Sequence, residues 1–286
     1  MQVIEPYLIR TFTMDTYSAI PNRGSHKLIN KLTKAVNNDT ENCMFCLKFD
    51  IKHYYQSIDH EILKQKYKRI FKDEQLLNVI FEIIDSINTA TEEDIKYIKE
   101  QCENVGENIG IPIGNYLSQY SANLYLSEFD HFVKEKLKAK HYYRYMDDIV
   151  ILGKTKEQLR NYMKQIVLYL NVKLKLVLKQ NYQIFPTLVR GVDFVGYRTF
   201  YGFVLLRKTT CKNMKKKMNK ISEKCKNGNM MSRTDWNCIN SYIGILKHCN
   251  GNRLYNKYIK PLEKHYIKYY IINILCGGKT MCRRYC

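Results

Sequence analysis

The chain has 286 residues, 24 of them tyrosine, and 47 Lys and Arg against 27 Asp and Glu give it a formal charge of +20. That length can bury a sizeable core, and the charge favours a polyanionic partner, since basic side chains neutralise phosphates while aromatic faces stack on bases. The ten cysteines are scattered and no charged-then-apolar segment opens the chain, which excludes a small secreted disulfide scaffold and reads as a reduced, cytoplasmic protein. Lys, Asn, Ile and Tyr are abundant together, as an AT-rich coding sequence would also make them, so the charge supports that reading without carrying it.

Residues 1–42 contain Pro6, Pro21 and the turn-like Asn22-Arg23-Gly24-Ser25, followed by helical spacing over 26–32. Arg23 and Lys27 flank a flexible backbone able to approach a triphosphate or template phosphates, although a basic loop is usually just solvated. Cys43 and Cys46 have CxxC spacing, but they lead into a strand, where residues three apart face opposite sides, and no second compact CxxC exists. Free structural thiols are expected. Residues 44–49 alternate as a strand, and Asp50 stands at its end. Asp59 and His60 then open a helix for which Ser57 is a plausible cap, His60 being read as structural.

From 61 to 101 the pattern is helical, with Leu76, Ile80, Ile83, Ile84 and Ile87 on one apolar face. A polar loop at 104–108 leads to Gly110, Pro112 and Gly114; the glycines permit close approach of a backbone to another chain, for which a template strand is the natural visitor, and the proline stiffens the loop. Leu126, Phe129, Val133 and Leu137 mark a long helix. The β-favouring run 142–152 is interrupted by Asp147 and Asp148, so it should turn tightly there and return as a second strand.

Thr155-Lys156-Glu157-Gln158 reads as a capping box for a helix with Leu159, Met163, Ile166 and Leu170 inward, and 173–178 alternates as a strand. Gly191, Phe194, Gly196 and Tyr197 suit a tight hairpin. Residues 207–226 hold nine basic side chains and one acid, with Met214, Met218, Ile221 and Cys225 on the other helical face. Further helices are expected over 241–261. The apolar stretch 266–275 is broken by Lys268 and Asn273 and is too short to span a bilayer, and 276–286 has no reading.

Two adjacent carboxylates at a hairpin tip, with no basic neighbour in the turn, concentrate negative charge that a hard divalent cation such as Mg²⁺ can take up. Turns also favour Asp for conformational reasons. What shifts the balance is Asp50, a third carboxylate at a strand end. Three carboxylates holding two Mg²⁺ ions about 4 Å apart form a clamp that activates a 3′-hydroxyl and stabilises the leaving pyrophosphate. The chemistry this points to is nucleotidyl transfer.

Phe49-Asp50-Ile51-Lys52, Gly110 through Gln119, and Tyr145-Met146-Asp147-Asp148 resemble motifs A, B and C of reverse transcriptases in order and spacing, a resemblance reaching from about residue 18 to about 260. Ile113-Gly114, three intervening residues and Ser118-Gln119, in place of Gln-Gly and Ser-Pro, resemble the enzymes of diversity-generating retroelements. The resemblance implies an α+β right-hand polymerase with a ferredoxin-like βαββαβ palm: fingers at 1–42 and 69–108, palm at 43–68 and 109–200, and a helical basic thumb and tail at 201–286. No endonuclease, maturase or RNase H segment is expected.

The resemblance also implies roles. Asp50, Asp147 and Asp148, with the Ile51 position, would hold two Mg²⁺, for which Mn²⁺ can substitute. Tyr55, five residues after Asp50, would be the steric gate that collides with a ribose 2′-hydroxyl, while Arg23, Ile113 and Gly114 would meet the nucleotide. Gly110, Pro112, Ser118, Gln119, Tyr145 and Met146, with Gly191, Phe194, Gly196 and Tyr197 of the primer grip, would face template and primer. The usual Asn-x-Lys-Lys of motif D is replaced by Lys179-Gln180-Asn181-Tyr182, which leaves Lys179 as the nearest candidate proton donor to pyrophosphate. Isoleucine at 113 cannot make the amide contacts of glutamine, so fidelity should loosen, and by resemblance most at template adenines; a neutral apolar swap is the plain alternative. The implied partners are an RNA template, a DNA or RNA primer, the cDNA product and a basic accessory variability determinant protein, with a bacterial or phage source and no membrane. A retron or group II intron type, or a catalytically idle RNA-binding palm, stands as the alternative.

Overall fold

Period-two alternation in the first strand decides how the acids are presented. In the computed structural model, which describes residues 2–265, β1 (Phe45–Asp50) sends Leu47 and Phe49 into the main core while Lys48 and Asp50 lie on the opposite face. The hairpin of β2 (His141–Tyr145) and β3 (Asp148–Gly153) joins it, and β4 (Gln183–Pro186) pairs on its other side. The sheet order is β2-β3-β1-β4 with every pairing antiparallel. Strand, helices, hairpin, helix and strand follow one another as a split βαββαβ unit does.

Helices cover the core face of this sheet. α1 (Glu5–Arg10) and α2 (Ser25–Asn38) precede β1; α3 (His60–Ile70), α4 (Glu74–Asp85) and α5 (Glu92–Gln101) follow it. α6 (Tyr116–Tyr125) and α7 (Ser127–His131) continue into a π turn at Phe132–Lys136, and the expected Leu126, Phe129, Val133 and Leu137 are all buried. α8 (Lys156–Leu174) buries Leu159, Met163, Ile166 and Leu170 as expected. Its cap is Thr155, whose hydroxyl accepts from Gln158 N–H, but the Gln158 side chain reaches one residue further back, to Lys154 N–H, so the box is not reciprocal.

Three expectations are corrected. No regular strand forms over 173–178: Leu174 lies four residues after Leu170 and prolongs the buried stripe of α8, Lys175 closes the helix at φ +54°, and only Leu178 bridges Ile51. The fourth strand lies further on, at β4. Asp59, not Ser57, caps α3 by accepting from Ile62 N–H, since the Ser57 hydroxyl donates to Lys52 and His53 carbonyls. Leu77, Ile80 and Ile84 form the buried stripe of α4, with Leu76 and Ile83 at its margin and Ile87 exposed past the helix end.

The short α9 (Thr187–Arg190) and β5 (Val192–Phe194) end the first of two units, which divide after Val195. The second unit opens with the hairpin β6 (Tyr197–Phe200) and β7 (Phe203–Leu206), then α10 (Lys208–Lys226) and α11 (Arg233–Leu246). α10 buries Met214, Met218, Ile221 and Cys225, the face read from the sequence, and leaves lysines such as Lys212, Lys216 and Lys220 exposed. Ser232 and Asp235 form a full capping box on α11. Cys43 and Cys46 are buried free thiols, burial pushing the Cys43 thiol up to about 12. Among the described residues no helix is long and apolar enough to cross a membrane; the stretch 266–275 and the tail 276–286 lie outside them.

Candidate active site

The last residue of β1 and the first of β3 are partners: Asp50 stands opposite Asp148, on the face turned away from the main core. Met146 and Asp147 form the two-residue loop between β2 and β3, Met146 taking φ +54°. Three carboxylates thus meet at one end of one sheet. Burial first, and then the carboxyl of Asp50 beside it, push Asp147 up to about 7.

Two lysines hold this charge. Lys179 pairs with Asp50 Oδ2, while its backbone N–H donates to the Asp50 carbonyl at 2.9 Å. The pairing raises the Lys179 pKa, the hydrogen bond to Asp50 contributing most. Lys48 lies 3.2 Å from Asp148 Oδ2, donates to the Asp193 carbonyl at 2.8 Å, and sits 5.5 Å over the Phe194 ring. Sequence reading missed Lys48, although its place two residues before Asp50 in an alternating strand puts both on one face.

The donor set suits a hard cation: all oxygen, with Asp50 Oδ1 buried and lacking a hydrogen-bond partner. Among the described residues, no three His, Cys, Asp or Glu side chains are gathered as a formed metal cage. Lys48 and Lys179 hold carboxylate oxygens that a divalent ion would take over. Ile51 has its side chain buried and is bracketed by hydrogen bonds from Lys52 N–H to Val177 and from Lys179 N–H to Asp50.

Tyr55, on the 3₁₀ turn Tyr54–Ser57, is brought to the acids: its hydroxyl reaches Met146 Sδ at 3.7 Å, and its pKa is raised by burial and then by the Asp147 charge. The glycine loop is tied alongside. Ile111 N–H donates to Tyr55 O at 3.0 Å, Gly110 N–H to Ile58 O at 2.8 Å, and His60 N–H to Asn108 O at 3.2 Å. His60 is structural as expected, buried between Asp85 Oδ1 at 3.0 Å and the Gly110 carbonyl at 2.9 Å.

The other expected residues have the following surroundings. Gly110, at φ +94°, has its own chain as close neighbour, because a Cβ there would stand 2.5 Å from Thr89 Oγ1 and 2.8 Å from Ala90 N. Gly114, at φ +99°, faces open space. Pro112, Gln119, Tyr145 and Met146 are half-buried, and Ile113 is 69% exposed. Ser118 is buried within α6. Arg23 is drawn inward, Nη1 donating to the carbonyls of Thr13 at 2.6 Å and Thr16 at 3.0 Å, so it braces residues 13–16. Gly191 closes α9 at φ +69°, Phe194 is buried beneath Lys48, and in the second unit Tyr197, following Gly196, donates to Ile245 O at 3.1 Å. The side chains of Phe194 and Tyr197 are thus both buried within the protein.

Residues 2–197 match the family described as reverse transcriptase (RNA-dependent DNA polymerase). A comparison with curated proteins returned no match. Among solved structures, apo telomerase from Candida tropicalis superposes with a TM-score of 0.51 at 13% identity, over 69% of this chain and 38% of that one. Telomerase from Candida albicans in complex with a TWJ fragment of telomeric RNA gives 0.47 at 15% identity, over 76% and 41%. At such identities the likeness concerns the fold alone, and this chain spans less than half the length of those telomerase chains.

Proposed function

Because the chain belongs to the reverse transcriptase family, we propose that it is an RNA-directed DNA polymerase whose reaction takes place at Asp50, Asp147 and Asp148. The observation that carries this reading is the register that sets Asp50 across from Asp148 with Asp147 in the adjoining turn. Those three carboxylates would hold two Mg²⁺, with Mn²⁺ able to substitute. Divalent ions there supply activation of the primer 3′-hydroxyl and charge neutralisation on the leaving pyrophosphate. The protein's share is to keep repelling carboxylates together on a rigid sheet, with Lys48 and Lys179 as counter-charges.

In this reading residues 43–68 and 109–200, with the sheet and α6–α8, are the palm, residues 1–42 and 69–108 the fingers, and residues 201–286 the thumb and tail, whose α10 lysines follow a phosphate backbone. Tyr55 excludes ribonucleotides, and Lys179 is placed to return a proton to pyrophosphate. The exposed Ile113 beside Gly114, in place of an amide, supports an error-prone enzyme of the diversity-generating type, which copies an RNA template with an accessory protein and misreads adenines.

The test is primer extension by the purified chain on an RNA template with dNTPs and Mg²⁺ or Mn²⁺. Asp147→Asn should abolish extension while circular dichroism stays unchanged; a variant as active as the parent would refute the assignment. Sequencing of the cDNA addresses the subtype. Errors spread evenly over the four template bases would point to the retron or group II intron type.

A further inference from the structure

Arg144 projects from β2 toward the core side, away from the acids, and is completely buried. Its guanidinium has five N–H donors, and every one has an acceptor. Nε donates to Asp130 Oδ1 at 2.7 Å, and Nη2 to Asp130 Oδ2 at 2.6 Å and, more weakly, to Asn123 O at 3.5 Å. Nη1 donates to Asn123 Oδ1 and to the Met146 carbonyl, both at 3.1 Å. Asp130 is equally engaged, accepting also from Tyr142 Oη at 2.5 Å and Thr16 Oγ1 at 2.9 Å. Burial opposes the charge on Arg144, but Asp130 outweighs it and raises the pKa.

A buried ion pair adds little net stability over an apolar filling of the same volume. What a planar fork does well is fix several acceptors in direction at once. One of these acceptors is the carbonyl of Met146, a non-glycine residue with left-handed φ that only its surroundings can hold in place. Met146 is gripped from the other side as well, where the Tyr55 hydroxyl meets its Sδ. A continuous chain of contacts therefore runs from α7 through Asp130, Arg144 and Met146 to Tyr55.

We propose that Arg144, anchored by Asp130, is a positioning residue for sugar selection: by fixing the Met146 carbonyl it sets where Met146 Sδ meets Tyr55, and so how closely that ring crowds the 2′ position of the nucleotide. This rests on the role given to Tyr55 above. Arg144→Lys keeps a positive charge opposite Asp130, but a single ammonium cannot serve Asp130, Asn123 and Met146 together.

With folded fractions matched by circular dichroism, primer extension is measured with dNTPs and with rNTPs for both proteins. The ratio of rNTP to dNTP incorporation should rise about threefold or more in the variant, equivalent to ~0.65 kcal/mol. Hydrogen exchange at the amides of residues 146–148 should quicken while that of β1 does not. A contribution to folding alone scales both incorporations by one factor, so an unchanged ratio overturns the proposal. If Arg144→Lys does not fold, Asp130→Asn, which keeps the volume and removes the anchoring charge, is measured with the same two outcomes. Should the unaltered chain extend nothing, the polymerase reading fails by itself; equal exchange at 146–148 in parent and variant would then still refute the hold of Arg144 on the turn.

Discussion

The ammonium of Lys48 lies 3.2 Å from Oδ2 of Asp148 on the neighbouring strand and 2.8 Å from the carbonyl of Asp193, so one cation ties an acid of the site to the middle of β5. Both partners in the ion pair are roughly one-quarter exposed, at 26% and 30%, which limits what the pair adds to stability. Its consequence should fall on activity.

Lys48→Ala should slow primer extension about tenfold, or ~1.4 kcal/mol on the barrier, with the melting temperature nearly unmoved. Lys48→Arg should recover part of the rate, because it restores the charge. Steady-state extension rates and thermal melts of the three proteins check this. An alanine variant at parental rate would reduce Lys48 to a surface pair.

Lys179 separates two roles that one cation can play. Its pKa is raised above 10.5, so it is protonated throughout the neutral range, and whatever the pairing with Asp50 adds to stability is present at neutral pH and fades as pH climbs through the raised value. If it donates a proton in turnover, Lys179→Arg keeps the charge but cannot release the proton. Turnover should then fall about 100-fold in both Lys179→Arg and Lys179→Leu, with the KM for dNTPs little changed. Full turnover in the arginine variant would leave Lys179 as a counter-charge.

How far these positions could be read from the chain follows from the physics of each. Phe45, Leu47 and Phe49 alternate with polar or small neighbours, and the acids interrupt a β-favouring run, so β1, the hairpin and the meeting of Asp50 with Asp148 were legible. The segment after α8 was not, because Leu174, Leu176 and Leu178 satisfy a period of two while Leu170 and Leu174 satisfy a helical one, and burial of Leu174 decided for the helix. The surroundings of Arg23 were hidden for a different reason. A basic residue beside a glycine loop looks free to meet phosphate until the backbone carbonyls of Thr13 and Thr16 turn toward it, and no residue type announces where a carbonyl points. The contact from Lys48 to the Asp193 carbonyl, across 145 positions, is invisible in the same way.

Gly110 tests the close packing of the glycine loop. Gly110→Ala should destabilise the protein by about 1–3 kcal/mol, combining strain at φ +94° with a Cβ 2.5 Å from Thr89 Oγ1. Gly114→Ala, with a similar φ of +99° and no neighbour within 4 Å, should cost less. Urea unfolding midpoints compare them. Equal losses would mean that the Thr89 contact yields without cost.

Tyr55→Val should admit ribonucleotides, because the smaller side chain leaves room for a 2′-hydroxyl, while dNTP incorporation survives. Competition between an rNTP and its dNTP on one template measures the shift. An unchanged preference would place the gate elsewhere and would remove the premise on which the role of Arg144 rests.

Ile113 is where the specialised reading parts from the general one. Its side chain is 69% exposed, so it fills no core space and Ile113→Gln should leave stability within about 0.5 kcal/mol of the parent. A glutamine can donate and accept hydrogen bonds where isoleucine does neither. If the missing amide is what loosens recognition of the nascent pair, restoring it should lower misincorporation, most of all opposite template adenine. A gain of ~1.4 kcal/mol between right and wrong nucleotides would lower the error ratio about tenfold. Sequencing cDNA made by both proteins from one RNA reads this directly at all four template bases. Identical error spectra would show that the exposed isoleucine plays no part in copying, and would leave the protein an unspecialised reverse transcriptase.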